Sequence, residues 1–223
     1  MITIATEGVY SPFLFHNEKD ELMGYDVEIV RAVADKLGLK PKFIEASWDA
    51  MLAAFDAGKA DTVFNQVSIT EERKKKYDYS VPYMTSYSEI IVHEDNDDIK
   101  SFADLKGKRS THSVNSKWIP TVERYGAKLV VADNPNNQIN FIITKRADDT
   151  IDDAVMFYDY KKQHPKAPIK LIVAGEDTMY TAVVVHKGNA ELLEAINKAL
   201  NELRAEGKPK EISMKYFDKD ISE

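Results

Sequence analysis

Arg73 sits where a charged ligand could be held. Upstream, Ala60-Asp61-Thr62-Val63-Phe64 reads as a short buried strand, and Thr70 followed by Glu71 and Glu72 reads as a capped helix start. The first amides of such a helix have no intrahelical partners. A guanidinium in that turn presents a fork of N–H groups that matches a carboxylate. A small acid could dock there, with Ser68 and Thr70 adding hydroxyl and N–H groups. The plainer reading is a surface arginine on an ordinary helix that Thr70 caps.

A second segment of the same build decides between them. Trp48-Asp-Ala-Met-Leu-Ala-Ala-Phe-Asp-Ala-Gly58 reads as an amphipathic helix and runs into Lys59-Ala60-Asp61-Thr62-Val63-Phe64-Asn65-Gln66. Asn137-Gln-Ile-Asn-Phe-Ile-Ile-Thr144 runs in the same way into Lys145-Arg146-Ala147-Asp148-Asp149-Thr150-Ile151-Asp152-Asp153. Each is a helix, a tight basic turn, an Ala-Asp pair and a short strand ending in polar side chains, so two similar lobes are expected. One strand ends near Arg73 and the other at Asp152 and Asp153. Opposite charges facing one another across a cleft would suit a zwitterion. Gln66 holds the position in the first copy that Asp153 holds in the second.

The 223 residues accommodate two lobes of ordinary size, and 43% apolar with 30% charged residues describes a globular chain. No apolar run approaches the roughly 18 residues of a spanning helix, so a soluble chain without membrane insertion is expected. A net charge of −7 argues against nucleic acid as a partner, and Lys74-Lys75-Lys76 reads as a solvated helix face. The absence of cysteine removes disulfides and thiolate catalysis, and the five histidines show no paired spacing, so no metal site is expected. No phosphate-binding glycine loop or nucleophile elbow is present, and no cofactor is expected. The chain enters a strand almost at once, at Ile2-Thr3-Ile4-Ala5-Thr6, with no leader or lipidation motif before it, which fits a trimmed mature chain or a cytosolic protein.

Six stretches in order resemble the amino-acid family of extracellular solute-binding proteins, the ligand-capturing subunits of bacterial ABC importers. They are Thr6-Glu7-Gly8-Val9-Tyr10-Ser11-Pro12-Phe13; Leu22-Met23-Gly24-Tyr25-Asp26-Val27-Glu28-Ile29; Ser68-Ile69-Thr70-Glu71-Glu72-Arg73 with Tyr79-Ser80-Val81-Pro82-Tyr83; Asp104-Leu105-Lys106-Gly107-Lys108; Arg146-Ala147-Asp148 through Asp153; and Val184-Val185-His186-Lys187-Gly188-Asn189. The third is the most specific, and together they cover essentially the whole chain. The resemblance implies an α/β fold of two lobes, the type II periplasmic-binding-protein arrangement, joined by two crossover strands and closing on a ligand. Residues 1–87 with 183–223 would form a discontinuous first lobe and 88–182 the second, with crossings near Ser86–Val92 and Thr181–Val185. Within the first lobe, Ala190 to Ala205 has a helical apolar pattern at Leu192, Leu193, Ile196, Leu200 and Leu203, with Gly207 as its stop; those leucines are core.

The resemblance further implies non-catalytic capture of a polar amino acid or close analogue by a periplasmic or surface-anchored monomer, for delivery to an ABC permease. It makes Arg73 the carboxylate clamp and Asp153 the ammonium anchor. Asp152 should point to the opposite strand face and be structural. Ser68 and Thr70 assist Arg73, Tyr10 and Trp48 form aromatic walls, Glu7 selects the ligand tail, and Gln66 is a further candidate. For Trp48 the alternative is a core aromatic.

In the second lobe, where the family carries a small Gly-Ser, Gly-Thr or Thr-Ser-Asn step beside the ligand carboxylate, this chain has Ser113-Val114-Asn115-Ser116-Lys117-Trp118. With Ser116 as helix cap, Lys117 falls at the first helical position, where the dipole disfavours a cation. A bound acid, Asp152 or Asp153 would offset that, making Ser113, Ser116 and Lys117 candidate site residues and admitting a ligand with extra negative charge; otherwise Lys117 points to solvent. Two other functions fit the resemblance. One is a dehydratase of cyclohexadienyl acids, with Lys117, His112 and the Asp152-Asp153 pair as proton donors. The other is a ligand-sensing domain or biosensor scaffold derived from a binder.

Overall fold

The computed structural model describes residues 1–173, 175, 178–217 and 220–222. In chain order they form β1 (Ile2–Thr6), β2 (Val9–Tyr10), β3 (Leu14–His16), β4 (Leu22–Met23), α1 (Tyr25–Lys36), β5 (Pro41–Glu45), α2 (Trp48–Asp56), β6 (Thr62–Val63), α3 (Glu71–Lys74), β7 (Tyr77–Tyr87) and β8 (Glu89–His93). Then follow β9 (Arg109–His112), α4 (Ile119–Arg124), β10 (Lys128–Val131), α5 (Pro135–Ile143), β11 (Asp149–Asp152), α6 (Ala154–Gln163), β12 (Ile169–Ile172), β13 (Thr178–His186), α7 (Ala190–Ala205) and α8 (Lys208–Phe217). The chain divides into two units. Unit 1 comprises Met1–Gly8, Pro12–Ser86 and the described part of Met179–Glu223, and unit 2 comprises Val9–Ser11 and the described part of Tyr87–Thr178. Residues 9–11, assigned from sequence to the first lobe, group with unit 2 because the Tyr10 ring packs on its Ile91–Ile139 core cluster.

Each unit is built on a five-stranded sheet, and the two sheets share one plan. In unit 1 the order is β5-β1-β6-β13-β7, with β1 parallel to β5 and β6, and β13 antiparallel to β6. In unit 2 it is β10-β9-β11-β8-β12, with β9 parallel to β10 and β11, and β8 antiparallel to β11. The repeat extends to single hydrogen bonds. Asp61 N–H donates to Thr3 O at 2.9 Å while the Asp61 carboxylate accepts from Thr3 N–H at 2.7 Å. Asp148 makes the same pair of bonds with Arg109, both at 2.8 Å. The tight turns before them use left-handed residues, Gly58 at φ 74° in one copy and Lys145 at φ 56° in the other. The Ala-Asp step therefore locks the third strand of each sheet beside the first.

Parallel strands in the order second, first, third create a switch point beside the first strand, where the chain's direction of progress across the sheet reverses. In such sheets polar groups gather at the carboxyl ends of the strands flanking that point. In unit 1 those ends carry Glu7 after β1 and Asn65-Gln66 after β6. In unit 2 they carry Ser113 after β9 and Asp152-Asp153 at the end of β11. The helices behind the sheets supply the cores. α7 spans the residues expected from its apolar period and buries Ile196, Ala199, Leu200 and Leu203, at about 1.5–3 kcal/mol for each large side chain; Gly207 follows it at φ 74°. At the start of α1, Gly24 has φ 126°, and a Cβ there would lie 2.2 Å from the Phe13 carbonyl oxygen, so only glycine fits.

Candidate functional site

In unit 1, Ser68, Thr70, Trp48 and Tyr79 lie beside Arg73. Thr70 caps α3, its hydroxyl accepting from Arg73 N–H at 3.2 Å, a role compatible with assisting Arg73. α3 is only four residues long, so the expected anion site at a helix start is reduced to a single turn with little dipole. Positive charge at this spot comes from the guanidinium. Arg73 Nη1 donates to the Ser68 carbonyl at 3.2 Å, and the guanidinium lies 5.3 Å from the centre of the Trp48 ring. Burial pulls its pKa below the usual arginine value, though arginine stays charged in proteins. Nearby Tyr79 has its phenol pushed up to about 12 by burial, with the Arg73 charge pulling the other way.

Three buried polar atoms of the residues beside this cation have no hydrogen-bond partner among the described residues: Trp48 Nε1, Ser68 Oγ and Tyr79 Oη. Each such atom costs about 1–3 kcal/mol, and native structures keep few of them. A cluster of them beside a half-buried cation suits an anionic ligand with further polar groups.

The strand ends are held from behind by residues that sequence reasoning passed over. Gln66 has left-handed backbone at φ 52°, a strained setting for a side chain larger than glycine. Buried Asp26 holds it there, accepting from Gln66 N–H at 2.8 Å, from Gln66 Nε2 at 2.5 Å and from Tyr83 Oη at 3.0 Å. Asn65 does the same for Glu7, its Oδ1 accepting from Glu7 N–H and its Nδ2 donating to Glu7 Oε2, both at 2.7 Å. The signals available were the Gly24-Tyr25-Asp26 stretch and the repeat alignment, in which Asn65 matches Asp152.

In unit 2 the candidates cluster around Asp153. Asp153 occupies the N-cap position of α6 but makes no capping bond. Its Oδ2 instead accepts from Lys117 Nζ at 3.2 Å, and its Oδ1 has no partner among the described residues. Asp152 turns elsewhere: its Oδ1 accepts from Tyr10 Oη at 2.9 Å and from Asp153 N–H at 2.8 Å. Burial first, and the neighbouring Asp153 charge second, push the Asp152 pKa up to about 6, against the pull of Lys117.

Lys117 is not at the first helical position expected for it. Ser116 Oγ accepts from Trp118 N–H at 3.2 Å, but the chain between Ser113 and Ser116 is a turn, and Trp118 is the N-cap of α4. The cation therefore precedes the helix, and the charge that answers it is Asp153. Ser113 is buried at the mouth of β9, its carbonyl receiving Ser116 N–H at 3.1 Å. His112, considered above as a proton donor, is fully buried in β9, and burial depresses its pKa to about 3. It contacts Ser110 Oγ at 3.1 Å, whose hydroxyl donates to Asp149 at 2.6 Å. This imidazole is a neutral core group at physiological pH.

Two α/β units of one plan, with a half-buried cation beside the strand ends of one and a buried half-free carboxylate at those of the other, define a two-lobe binding protein of the type II periplasmic class. The chain belongs to the bacterial extracellular solute-binding proteins, family 3, whose family model matches residues 2–219. It is 39% identical over 222 residues to a probable amino-acid ABC transporter-binding protein of Haemophilus influenzae, covering 100% of this chain and 86% of that protein. It is 37% identical to the L-cystine-binding protein TcyA of Bacillus subtilis, covering 100% and 83%. Among solved structures, an ancestral arginine-binding protein bound to glutamine matches with a TM-score of 0.90 at 36% identity, covering 98% of both chains. No helix among the described residues is long and apolar enough to cross a membrane.

Proposed function

We propose that this protein captures a polar α-amino acid or close analogue without chemical change and presents it, as a periplasmic or surface-anchored monomer, to an ABC permease. The observation that carries this reading is an incomplete polar cluster in each unit. Arg73, with the unpartnered Trp48 Nε1, Ser68 Oγ and Tyr79 Oη, takes the ligand carboxylate; the unpartnered Asp153 Oδ1 takes the ammonium. Because the two anchors belong to different units, a zwitterion engaging both favours a closed arrangement of the lobes, and closure is the signal the permease reads. The names of the relatives, which speak of amino acids and L-cystine, support the same ligand class. A dehydratase has less support, since it needs a proton donor beside the leaving group. His112 is buried and neutral, and Lys117 is committed to Asp153.

A thermal-shift panel of the amino acids, cystine, simple dicarboxylates and a prephenate-like acid tests the proposal. At least one α-amino acid at 100 times its dissociation constant is expected to stabilise the fold by about 2.7 kcal/mol and to be recovered unchanged. Stabilisation by the prephenate-like acid alone, with its conversion to product, would replace capture by catalysis.

A further inference from the structure

Lys117 and Asp153 form a buried ion pair at the carboxyl end of β11, with side chains only 9% and 3% exposed. A lysine so placed needs a reason, because nothing in the local fold requires it: it caps no helix, and the turn that carries it is closed by the backbone and hydroxyl of Ser116. Its ammonium lies 4.7 Å from the centre of the Trp118 ring and faces one oxygen of the carboxylate whose other oxygen has no partner among the described residues.

The charge count at this strand end is the useful quantity. Asp152 and Asp153 are adjacent, and Lys117 is the cation set against them. With both carboxylates ionised the trio carries a single net negative charge, which one ligand ammonium cancels. A ligand with a second cation would bring it into a region where one carboxylate is already neutralised. The acid at the corresponding strand end of unit 1, Glu7, already accepts a hydrogen bond from Asn65 Nδ2.

We propose that Lys117 is a specificity-determining residue, a fixed counter-charge on the ammonium anchor that makes the protein select amino acids with neutral or acidic tails over those with cationic tails. This rests on the amino-acid-capture reading above. Lys117 acts on the ligand by charge, both directly and through the single oxygen of Asp153 that it leaves free. Its removal leaves the buried Asp153 carboxylate facing the ligand without a counter-charge and beside the charge of Asp152, an arrangement that attracts cations.

The test is isothermal titration at neutral pH with glutamine, glutamate and arginine against the wild type, Lys117→Met and Lys117→Gln, with Lys117→Arg as the charge-preserving control. The wild type is expected to prefer glutamine or glutamate to arginine. In Lys117→Met or Lys117→Gln, whichever folds by circular dichroism, the preference over arginine should shrink by roughly tenfold or more, and Lys117→Arg should keep it. A merely structural lysine would lower all three affinities together and leave their ratios alone. Unchanged ratios, or a wild type that prefers arginine, overturn the inference while leaving amino-acid capture standing. A wild type that binds none of the panel's amino acids removes both.

Discussion

Arg73→Ala is expected to weaken ligand binding by about 3 kcal/mol or more, over a hundredfold, while leaving the melting temperature of the ligand-free protein almost unchanged. The asymmetry follows from what Arg73 does in each state. Without ligand, its guanidinium donates to the Ser68 carbonyl and lies over the Trp48 ring, and burial already disfavours its charge. With ligand, it would pair two parallel N–H groups with a carboxylate in a place lined by buried polar atoms, and removing it would strand that anion. Arg73→Lys should recover only part of the loss, because an ammonium cannot reproduce the planar fork. Titration calorimetry and thermal melts on the same samples separate the two effects. Equal affinity in the alanine variant would take Arg73 out of the site.

Asp153→Ala carries the second large effect, and it should appear in stability as well as binding. Alanine leaves the Lys117 ammonium buried without its partner, and breaking a buried pair from one side costs about 3 kcal/mol or more. The double variant Asp153→Ala/Lys117→Met, with both charges gone, should regain most of that stability in urea melts. It should regain none of the amino-acid binding, since the ammonium anchor is still missing. Single and double variants that unfold together with the wild type would mean that the pair is solvated and energetically idle. Binding that survives in the double variant would assign the ammonium to another group.

The parts of this structure that were legible in the sequence are those fixed by short-range pattern. The Ala-Asp step announced both third strands because the same short pattern occurs twice after a helix, although the bond its aspartate makes to the N–H of the first strand spans 58 residues in one copy and 39 in the other. The helix Ala190–Ala205 was readable from its apolar period and its terminal glycine. What could not be read depends on contacts between distant segments. Asp26 reaches Gln66 forty positions away, and Asn65 meets Glu7 fifty-eight away. No spacing rule announces either contact, although both hold candidate ligand residues in place. Lys117 was misplaced by two positions relative to its helix because a serine ahead of an apolar run looks like a cap, whereas here a turn intervenes and Trp118 takes that role. The dipole argument built on that placement falls away. The ion pair with Asp153, one of the partners foreseen for a buried Lys117, replaces it.

A crystal structure of the protein with the tightest-binding amino acid of the panel addresses the anchoring directly. The ligand carboxylate should lie within hydrogen-bonding distance, about 3 Å, of the Arg73 guanidinium, and the ligand ammonium at a similar distance from Asp153 Oδ1, with Lys117 still on Oδ2. A ligand bound at full occupancy that touches neither Arg73 nor Asp153 would contradict capture of a zwitterion by these two anchors.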